Sequence, residues 1–254
     1  NVGYLTYRVG DAGVSPDKVD WNAKEEHALE GGDLHAAQLC SVGDMFYMYG
    51  WLNYTPHANV WGGYLNLARE VYQKEDGLLG TRCDEFLSSL LNKGLVASFG
   101  EDNTVLSGMS AADGAFSVTD GTGTAALAGE YGRSWIEADI ELPASADYAG
   151  ITLTEGGVTY HVRLERSGGE LYLSIESGSA GCSVKLEDAS VTSFRLKVAA
   201  DGPFIEAYVN DEYSLSSHTR LTGSYEIGLA GGGAGVSVSS AQVCKLADYN
   251  NIFD

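Results

Sequence analysis

Three side chains between residues 33 and 51 have the chemistry to bind a ligand that carries hydroxyl groups. Asp33 and His35 lie two positions apart, so on a strand both side chains point to the same face. A carboxylate accepts hydrogen bonds from hydroxyls, and an imidazole donates or accepts one. Trp51 follows Gly50 at the end of an apolar run, and an indole ring can stack on the C–H face of a sugar ring.

Each of these residues also has a purely structural interpretation. In this interpretation Asp33 is a turn residue, because it follows two glycines. His35 is a core or rim histidine whose hydrogen bonds are satisfied within the protein. Trp51 is then a core tryptophan, which is the commoner situation for a single Trp. The residues alone leave both interpretations open.

The composition excludes several classes of partner. The chain has 254 residues and a net charge of −20, from 35 acidic and 15 basic residues. Such a surface repels nucleic-acid phosphates and anionic lipids, whereas a neutral carbohydrate meets no such repulsion. No apolar run approaches the ~18 residues of a membrane-spanning helix. We therefore expect neither nucleic acid nor a membrane as partner, and the charge is compatible with a neutral ligand such as a carbohydrate.

The cysteines and histidines do not follow the spacing of a metal site. None of the four cysteines forms a C-x-x-C pair, and three of the histidines lack partners at ligand spacing: His57, His161 and His218. The sequence therefore predicts no metal and no cofactor.

The elements that must position the candidate side chains are mostly strands. Residues 45–51 form a continuous apolar and aromatic run, typical of a strand buried on both faces. Residues 63–73 alternate as a strand does, although their Leu, Ala, Arg and Glu are also good helix formers. The glycine pair before this segment favours the strand. Residues 83–95 have helical spacing and predict a short helix in a linker.

After about residue 100 the pattern becomes a series of short strands separated by Gly and Asp/Asn turns. This pattern is typical of an antiparallel sandwich. The predicted strands are residues 135–142, 150–156, 159–166, 170–177, 193–200, 204–210, 225–231 and 235–246.

Two separated segments together resemble glycoside hydrolase family 32, the group of invertases, inulinases and levanases. The first reads Asp33-Leu34-His35-Ala36, then Tyr49-Gly50-Trp51, then Trp61-Gly62-Gly63 through Leu67-Ala68-Arg69-Glu70. The family has similar Asp-Phe-Tyr-Ala, Gly-Trp and Trp-x-Gly-x-x-x-x-Pro-Arg-Glu motifs in this order. His35 departs from the family's Tyr, and Ala68 departs from its Pro.

The second segment of the resemblance lies in the predicted sandwich. The family has an Asp-x-Ser-x-Ile-Glu-x-Phe-x-Asn-Asp-like strand pair with an Arg several residues on. The corresponding residues in this chain are Asp201, Ile205, Glu206, Tyr208, Asn210, Asp211 and, further on, Arg220.

The resemblance implies an all-β fold: the C-terminal part of a five-bladed β-propeller followed by an antiparallel β-sandwich of the concanavalin-like, jelly-roll kind. Residues 1–82 are then the closing propeller strands, 83–100 a linker with a short helix, and 101–254 the sandwich. The family's Asn-Asp-Pro nucleophile, Arg-Asp-Pro and Glu-Cys acid/base motifs do not occur in the sequence. No catalytic residue is therefore nominated, and the missing propeller portion is expected as a separate chain or a missing segment.

The resemblance also implies roles for particular residues. Asp33, His35 and Trp51 would hold the sugar, while Trp61 would pack between blades. Arg69 and Glu70 are adjacent, so they face opposite sides of a strand. Arg69 would pair with a carboxylate inside the propeller, or with a structural ion-pair partner. On the sandwich, three residues are expected to tie the structure together or to the propeller: Glu206, Asn210 and Arg220.

The functional expectation is the C-terminal portion of a β-fructosidase-like glycosidase that acts on fructosyl linkages. Two alternatives stay open, an inactive family member and a sandwich that binds carbohydrate without cleaving it. For the binding sandwich the candidate stacking residues are Tyr160, Tyr172 and Tyr208. The cellular compartment is undetermined by the sequence.

Overall fold

The computed structural model describes residues 5–53, 62–119 and 121–247. The first third of the chain contains a two-stranded hairpin and a small five-stranded sheet, followed by one helix. In chain order the elements are β1 (Leu5–Tyr7), β2 (His27–Glu30), β3 (Leu34–Val42), β4 (Met45–Asn53), β5 (Gly63–Leu65), β6 (Arg69–Gln73), β7 (Leu79–Cys83) and α1 (Glu85–Leu91).

The small sheet is antiparallel, with strand order β3-β4-β6-β7 and with β5 paired to the end of β4. The register of β3 against β4 sets the relative positions of the candidate residues: His35 lies opposite Trp51, and Leu34 lies opposite Leu52. Opposed residues of an antiparallel pair share a face, so this register places His35 and Trp51 side by side.

The rest of the chain forms a sandwich of two antiparallel sheets. Its strands are β8 (Asn92–Ser98), β9 (Thr104–Ser107), β10 (Met109–Ala112), β11 (Ala115–Val118), β12 (Thr122–Leu127), β13 (Ser134–Glu141), β14 (Tyr148–Glu155), β15 (Val158–Ser167), β16 (Glu170–Ser177), β17 (Ala180–Leu186), β18 (Ser193–Asp201), β19 (Phe204–Val209), β20 (Tyr213–His218), β21 (Glu226–Gly232) and β22 (Ser237–Leu246).

One sheet has the order β10-β11-β22-β13-β18-β19-β20, with β8 paired to β22, and the other has the order β17-β16-β15-β14-β21-β12-β9. Inward and outward side chains alternate along the strands, as in β12, where exposed and buried residues strictly alternate. Fully buried aliphatic residues such as Ile136, Val198 and Leu173 fill the space between the sheets. Each such side chain contributes about 1.5–3 kcal/mol through burial.

The small sheet packs on the outer face of the eight-stranded sheet. Phe204 of β19 joins Met48, Leu52 and Val71 of the small sheet in one buried cluster. All six residues of β19 are therefore buried, because this strand has the sandwich core on one face and the small sheet on the other.

Three segments to which the sequence assigns a structure before residue 100 differ from that expectation. Residues 63–73 form two strands, because Asn66 leaves the ladder and its side-chain oxygen accepts a hydrogen bond from the Gly50 amide at 2.6 Å. The predicted helix ends at Leu91, and residues 92–98 are a strand of the sandwich. The run 45–51 is not buried on both faces, since Phe46 is 54% exposed and Met45 is 44% exposed.

The helix α1 begins after a residue that is well suited to cap its N-terminus. Asp84 is the N-cap, and its carboxylate accepts a hydrogen bond from the Leu87 amide at 2.8 Å. Leu91 is buried against the sheet, whereas Phe86 remains exposed. No helix in the described ranges is long and apolar enough to cross a membrane.

Two glycines allow the chain to pass between the small sheet and the sandwich. A Cβ on Gly31 would lie 1.9 Å from the carbonyl oxygen of Ser183, and one on Gly32 would lie 2.0 Å from that of Ser216. Both obstacles are backbone atoms of sandwich strands, so neither can move aside without breaking a sheet ladder. Only glycine fits this close approach.

We predict that Gly32→Ala lowers the free energy of unfolding by about 2 kcal/mol or more, because the new methyl group collides with the Ser216 carbonyl. Urea denaturation followed by circular dichroism measures the change. Gly100→Ala is the matched control, because its Cβ would meet nothing closer than Asn103 Oδ1 at 3.6 Å. Equal stability of the two variants would contradict the prediction.

Candidate functional site

His35 and Trp51 form a pair on neighbouring strands of the small sheet. Their ring centroids lie 6.1 Å apart and the planes are tilted by 54°. His35 is exposed and Trp51 is half-buried. The pair can therefore present an aromatic surface and an imidazole to a ligand at the same place, which is the combination that a sugar ring needs.

The backbone around this pair departs from regular strand geometry. The register of β3 against β4 shifts between His35 and Gln38, and Ala36 has a φ of 50°. Such a bulge re-aims the side chains beside it, and bulges of this kind are common next to functional sites. On the other side, Gly63 lies so close to the indole that a Cβ there would be 1.9 Å from Trp51 Nε1. The indole is thus fixed by backbone.

Asp33 lies at the junction with the sandwich, because its carboxylate faces β20. Its Oδ2 accepts hydrogen bonds from His218 Nδ1 at 2.6 Å, from the His218 amide at 3.3 Å and from Ser217 Oγ at 3.1 Å. The structure therefore brings His35 and Trp51 together, and it places the Asp33 carboxylate against His218, which lies 185 residues later in the chain. Asp33 precedes β3, so the alternation that predicts a face shared with His35 does not apply to it.

The Asp33–His218 pair shifts the pKa of both partners. Burial alone would raise the pKa of Asp33, but the hydrogen bonds and positive charge of His218 outweigh it and hold that pKa below its ordinary value. The hydrogen bond to Asp33 raises the pKa of His218, with burial acting in the opposite direction. The pair therefore favours an imidazolium beside a carboxylate.

Arg69 is the centre of a completely buried polar cluster between the small sheet and the sandwich. Its guanidinium donates to Glu30 of β2, and it donates to Glu206 of β19 at 3.0 Å. It also donates to Ser216, and to the Ser214 hydroxyl at 3.0 Å. Both carboxylates and the guanidinium are inaccessible to solvent.

The two carboxylates of the cluster have further donors. Glu206 accepts from the Leu67 amide at 2.6 Å and from the Tyr208 hydroxyl at 2.8 Å. Glu30 accepts from the amides of Gly32 at 3.1 Å and Ser216 at 3.0 Å. Backbone and side-chain donors thus replace the water that these charges lose.

The charges of the cluster depend on one another. Burial works against the charge of Arg69, but Glu30 and Glu206 more than compensate for it and raise the pKa of the guanidinium. Burial raises the pKa of Glu30, while Arg69 and the Ser216 amide lower it in part. A substrate cannot reach any of these groups, so the cluster can act only by fixing geometry.

The other predicted site residues lie apart from the cluster. Glu70 is on the opposite face of β6, where it forms a bidentate ion pair with Arg82 at 2.8 and 2.9 Å. Trp61 and His57 lie outside the described residues. Of the three sandwich residues, Glu206 contacts Arg69. The side-chain oxygen of Asn210 accepts a hydrogen bond from the Arg195 amide at 2.8 Å, within the sandwich. Arg220 lies beyond the end of β20.

Metal ligands do not cluster in the part of the chain that the structure describes, where no group of three or more His, Cys, Asp or Glu residues is placed to hold an ion. All four cysteines are free thiols.

Sequence reasoning did not identify Glu30, Ser214, Ser216 and His218 as members of these sites. The signal for the two serines is their place on β20, where small polar residues at 214 and 216 alternate on one face. A buried strand face that carries two hydroxyls needs a polar partner, and Arg69 is that partner. Nothing near Glu30 in the sequence indicates that it is buried.

We predict that Arg69→Met lowers the free energy of unfolding by about 3–5 kcal/mol, because it leaves the carboxylates of Glu30 and Glu206 buried without their cation. Denaturant titration measures the loss. Arg82→Met is the control, because the Arg82 side chain is 42% exposed and an ion pair that is partly open to solvent is worth about 1 kcal/mol or less. A change no larger than that of the control would show that the cluster does not stabilise the fold.

Solved structures with a similar architecture are known. No family model matches the chain, and no curated protein matches it in sequence. Among solved structures it is similar to a GH32 β-fructofuranosidase from Bombyx mori, with a TM-score of 0.61 and 17% identity over 96% of this chain and 47% of that one.

A second similar structure is fructan 1-exohydrolase IIa from Cichorium intybus. Here the TM-score is 0.61 and the identity 10%, over 96% of this chain and 56% of that one. The fructosyltransferase from A. japonicus matches with a TM-score of 0.60 and 16% identity, over 93% of this chain and 49% of that one. The chain thus spans about half the length of the structures that it matches.

These enzymes have propeller and sandwich domains. The predicted fold class, all-β with propeller strands before an antiparallel sandwich, is therefore confirmed. At this level of identity the comparisons show the fold: the chain has the fold of the latter half of GH32 β-fructofuranosidases and fructan exohydrolases.

Proposed function

We propose that this chain is the C-terminal portion of a glycoside hydrolase that acts on β-fructosyl linkages in fructans or sucrose-type sugars. The observation that carries the proposal is the structural match, which covers 96% of this chain and about half the length of enzymes described as β-fructofuranosidase and fructan exohydrolase. A neutral substrate also suits a chain with a net charge of −20.

The structure supports a division of labour between this chain and the other half of a propeller. Retaining hydrolysis needs two carboxylates about 5 Å apart that reach the substrate. The buried carboxylates Glu30 and Glu206 are committed to Arg69 and sealed from solvent. We therefore propose that the nucleophile and the acid/base come from the propeller portion that precedes these strands, as a separate chain or as a segment of a longer one.

His35 and Trp51 are the proposed sugar contacts of this chain. The exposed imidazole of His35 would donate to or accept from a hydroxyl. The indole of Trp51 would cover the C–H face of the ring, because its Nε1 edge lies against Gly63. Asp33 would contribute at the edge of the pocket, and Trp61 and Arg69 would support it. Glu70 shares the face of His35 and Trp51.

A partly apolar face of the small sheet supports the proposed partner. The face that carries His35 and Trp51, here called the open face, also carries exposed apolar side chains: Val42, Met45, Tyr49 and Leu65. Contiguous exposed apolar surface on a sheet marks a place where another protein surface packs. We propose that the preceding propeller strands cover the open face and so bring their carboxylates to His35 and Trp51.

The alternative of a sandwich that binds carbohydrate through tyrosines finds less support. Tyr208 is fully buried and donates its hydroxyl to Glu206. Tyr160 is 8% exposed, and its hydroxyl accepts a hydrogen bond from the Arg220 amide. Neither ring can stack on a sugar, which leaves only Tyr172 of the three predicted tyrosines half-exposed.

We predict that the chain, produced together with the preceding propeller strands, hydrolyses sucrose or a short fructan, and that Trp51→Ala lowers kcat/KM about tenfold or more. Fructose release measures the reaction. Trp21→Ala is the control, because Trp21 is exposed near the first strands and hydrogen-bonds Pro16. Absence of hydrolysis by the assembled protein would overturn the proposed activity, and full activity of Trp51→Ala would remove Trp51 from the site.

The open face gives a second prediction that needs no activity. Val42→Ser combined with Met45→Ser should reduce self-association of the isolated chain, because the change removes apolar surface from the open face. Analytical ultracentrifugation measures the molar mass. Val105→Ser is the control, since Val105 is 71% exposed on a sandwich strand away from this face. Equal behaviour of the two variants would mean that the open face is not a docking surface.

A further inference from the structure

A cleft of about 490 Å³ lies at the junction of the sandwich with the residue that precedes β3. Its polar lining comes from Asp33, Ser177, Ser179, Ser217, His218 and Arg220. Its wall is formed by apolar and aromatic side chains of the sandwich: Val158, Tyr160, Ile175 and Ala180. A volume of this size is in the range of small-molecule sites.

Arg220 is unusual among the arginines. Within the described ranges its guanidinium has no hydrogen bond and no ion pair, and only its backbone amide is engaged, on the Tyr160 hydroxyl at 2.8 Å. The other arginines are bonded to carboxylates or to backbone carbonyls, as in the ion pairs of Arg163 and Arg195 and the four carbonyl contacts of Arg166. Arg220 lines the cleft, and its guanidinium carries five donors in the planar fork that matches an oxyanion.

His218 is a second cationic donor in the same cleft. Its Nδ1 is bonded to Asp33 at 2.6 Å, so Nε2 is the nitrogen that remains for a ligand. The charged and titratable groups around the imidazole are Asp33, which favours its protonation, and Arg220, which opposes it. Tyr160 belongs to the same lining.

The negative charge of Asp33 does not dominate the cleft. Its Oδ2 is already occupied by the three donors of His218 and Ser217. With His218 protonated, the three charged groups of the cleft leave one positive charge. The remaining acidic surface is screened beyond roughly 8 Å at physiological salt, so the local charge decides what binds at contact distance.

We propose that this cleft is a binding site for a tetrahedral oxyanion, such as the phosphate of a phosphorylated sugar or inorganic phosphate, held by Arg220 and by the Nε2 of His218. The serine hydroxyls at 177 and 217 lie in the same lining and suit the hydroxyls of a sugar that carries the anion. The site is separate from the His35–Trp51 pair and does not depend on the proposed hydrolase activity.

The test uses inorganic sulfate as the probe, because sulfate keeps its charge across the pH range in which His218 titrates. Isothermal titration calorimetry of the full chain at pH 6 should show binding in the millimolar range. Arg220→Gln should weaken it about tenfold to a hundredfold, because a hydrogen bond to a charged group is lost. Arg195→Gln is the matched control, since it removes the same charge from a different sandwich surface.

The pH dependence adds an independent readout. The pKa of His218 is raised above its ordinary value near 6.5, so the imidazolium is present at pH 6 and is lost as the pH rises through that higher value. Sulfate affinity should therefore fall in the wild type as the pH rises from 6 through the raised pKa of His218. In His218→Gln it should be weaker and independent of pH.

Separate titrations with a hexose phosphate, inorganic phosphate and the unphosphorylated hexose identify the natural class of ligand. Tighter binding of the hexose phosphate than of phosphate assigns the serine hydroxyls to the sugar. No sulfate binding at about 10 mM, or equal weakening by Arg220→Gln and Arg195→Gln, would overturn the proposal. Either result leaves the proposed hydrolase function unaffected, because no step of this test measures sugar cleavage.

Discussion

The rest of the structure depends on one buried charge. Arg69 lies between two carboxylates from different parts of the chain, and no water reaches any of the three groups. A buried ion cluster of this kind stabilises less by its attraction than by the high cost of leaving any member unpaired. It therefore admits one arrangement of the small sheet on the sandwich. The glycine pair at 31 and 32 then allows the backbone to lie close enough for that arrangement.

This constraint explains how one face of the small sheet can be held in a fixed position while much of it is exposed. The inner face is held by Met48, Leu52 and Phe204, and by Arg69 below them. The positions of His35 and Trp51 on the opposite face are fixed as well, because side chains on both faces of β3 and β4 are attached to the same backbone. The same rigidity places Asp33 where it meets His218 of the sandwich.

The sequence predicts elements better than it predicts partners. Alternation identifies most of the sandwich strands, such as β16 at residues 170–177, because one face of each strand is buried. It does not reveal the short strands between residues 104 and 127, where Gly, Ser and Ala dominate and hydrophobic contrast is small. Nor can local spacing show that Glu30 meets Arg69 or that Asp33 meets His218, because these contacts join segments 39 and 185 residues apart. The orientation of Asp33 is the clearest case, since a turn before a strand cancels the period of two on which its predicted face depends.

The sequence separation across the Arg69 cluster also sets an order of assembly during synthesis. Arg69 is translated 137 residues before Glu206, and Glu30 is translated 186 residues before Ser216. Until β19 and β20 have left the ribosome, the early strands lack the sandwich surface on which they pack. Their apolar side chains then stay exposed to chaperones and proteases. A chain interrupted before residue 206 would therefore leave its N-terminal strands without their packing partners as well as its sandwich incomplete, so the folding of the first strands waits for the synthesis of β19 and β20.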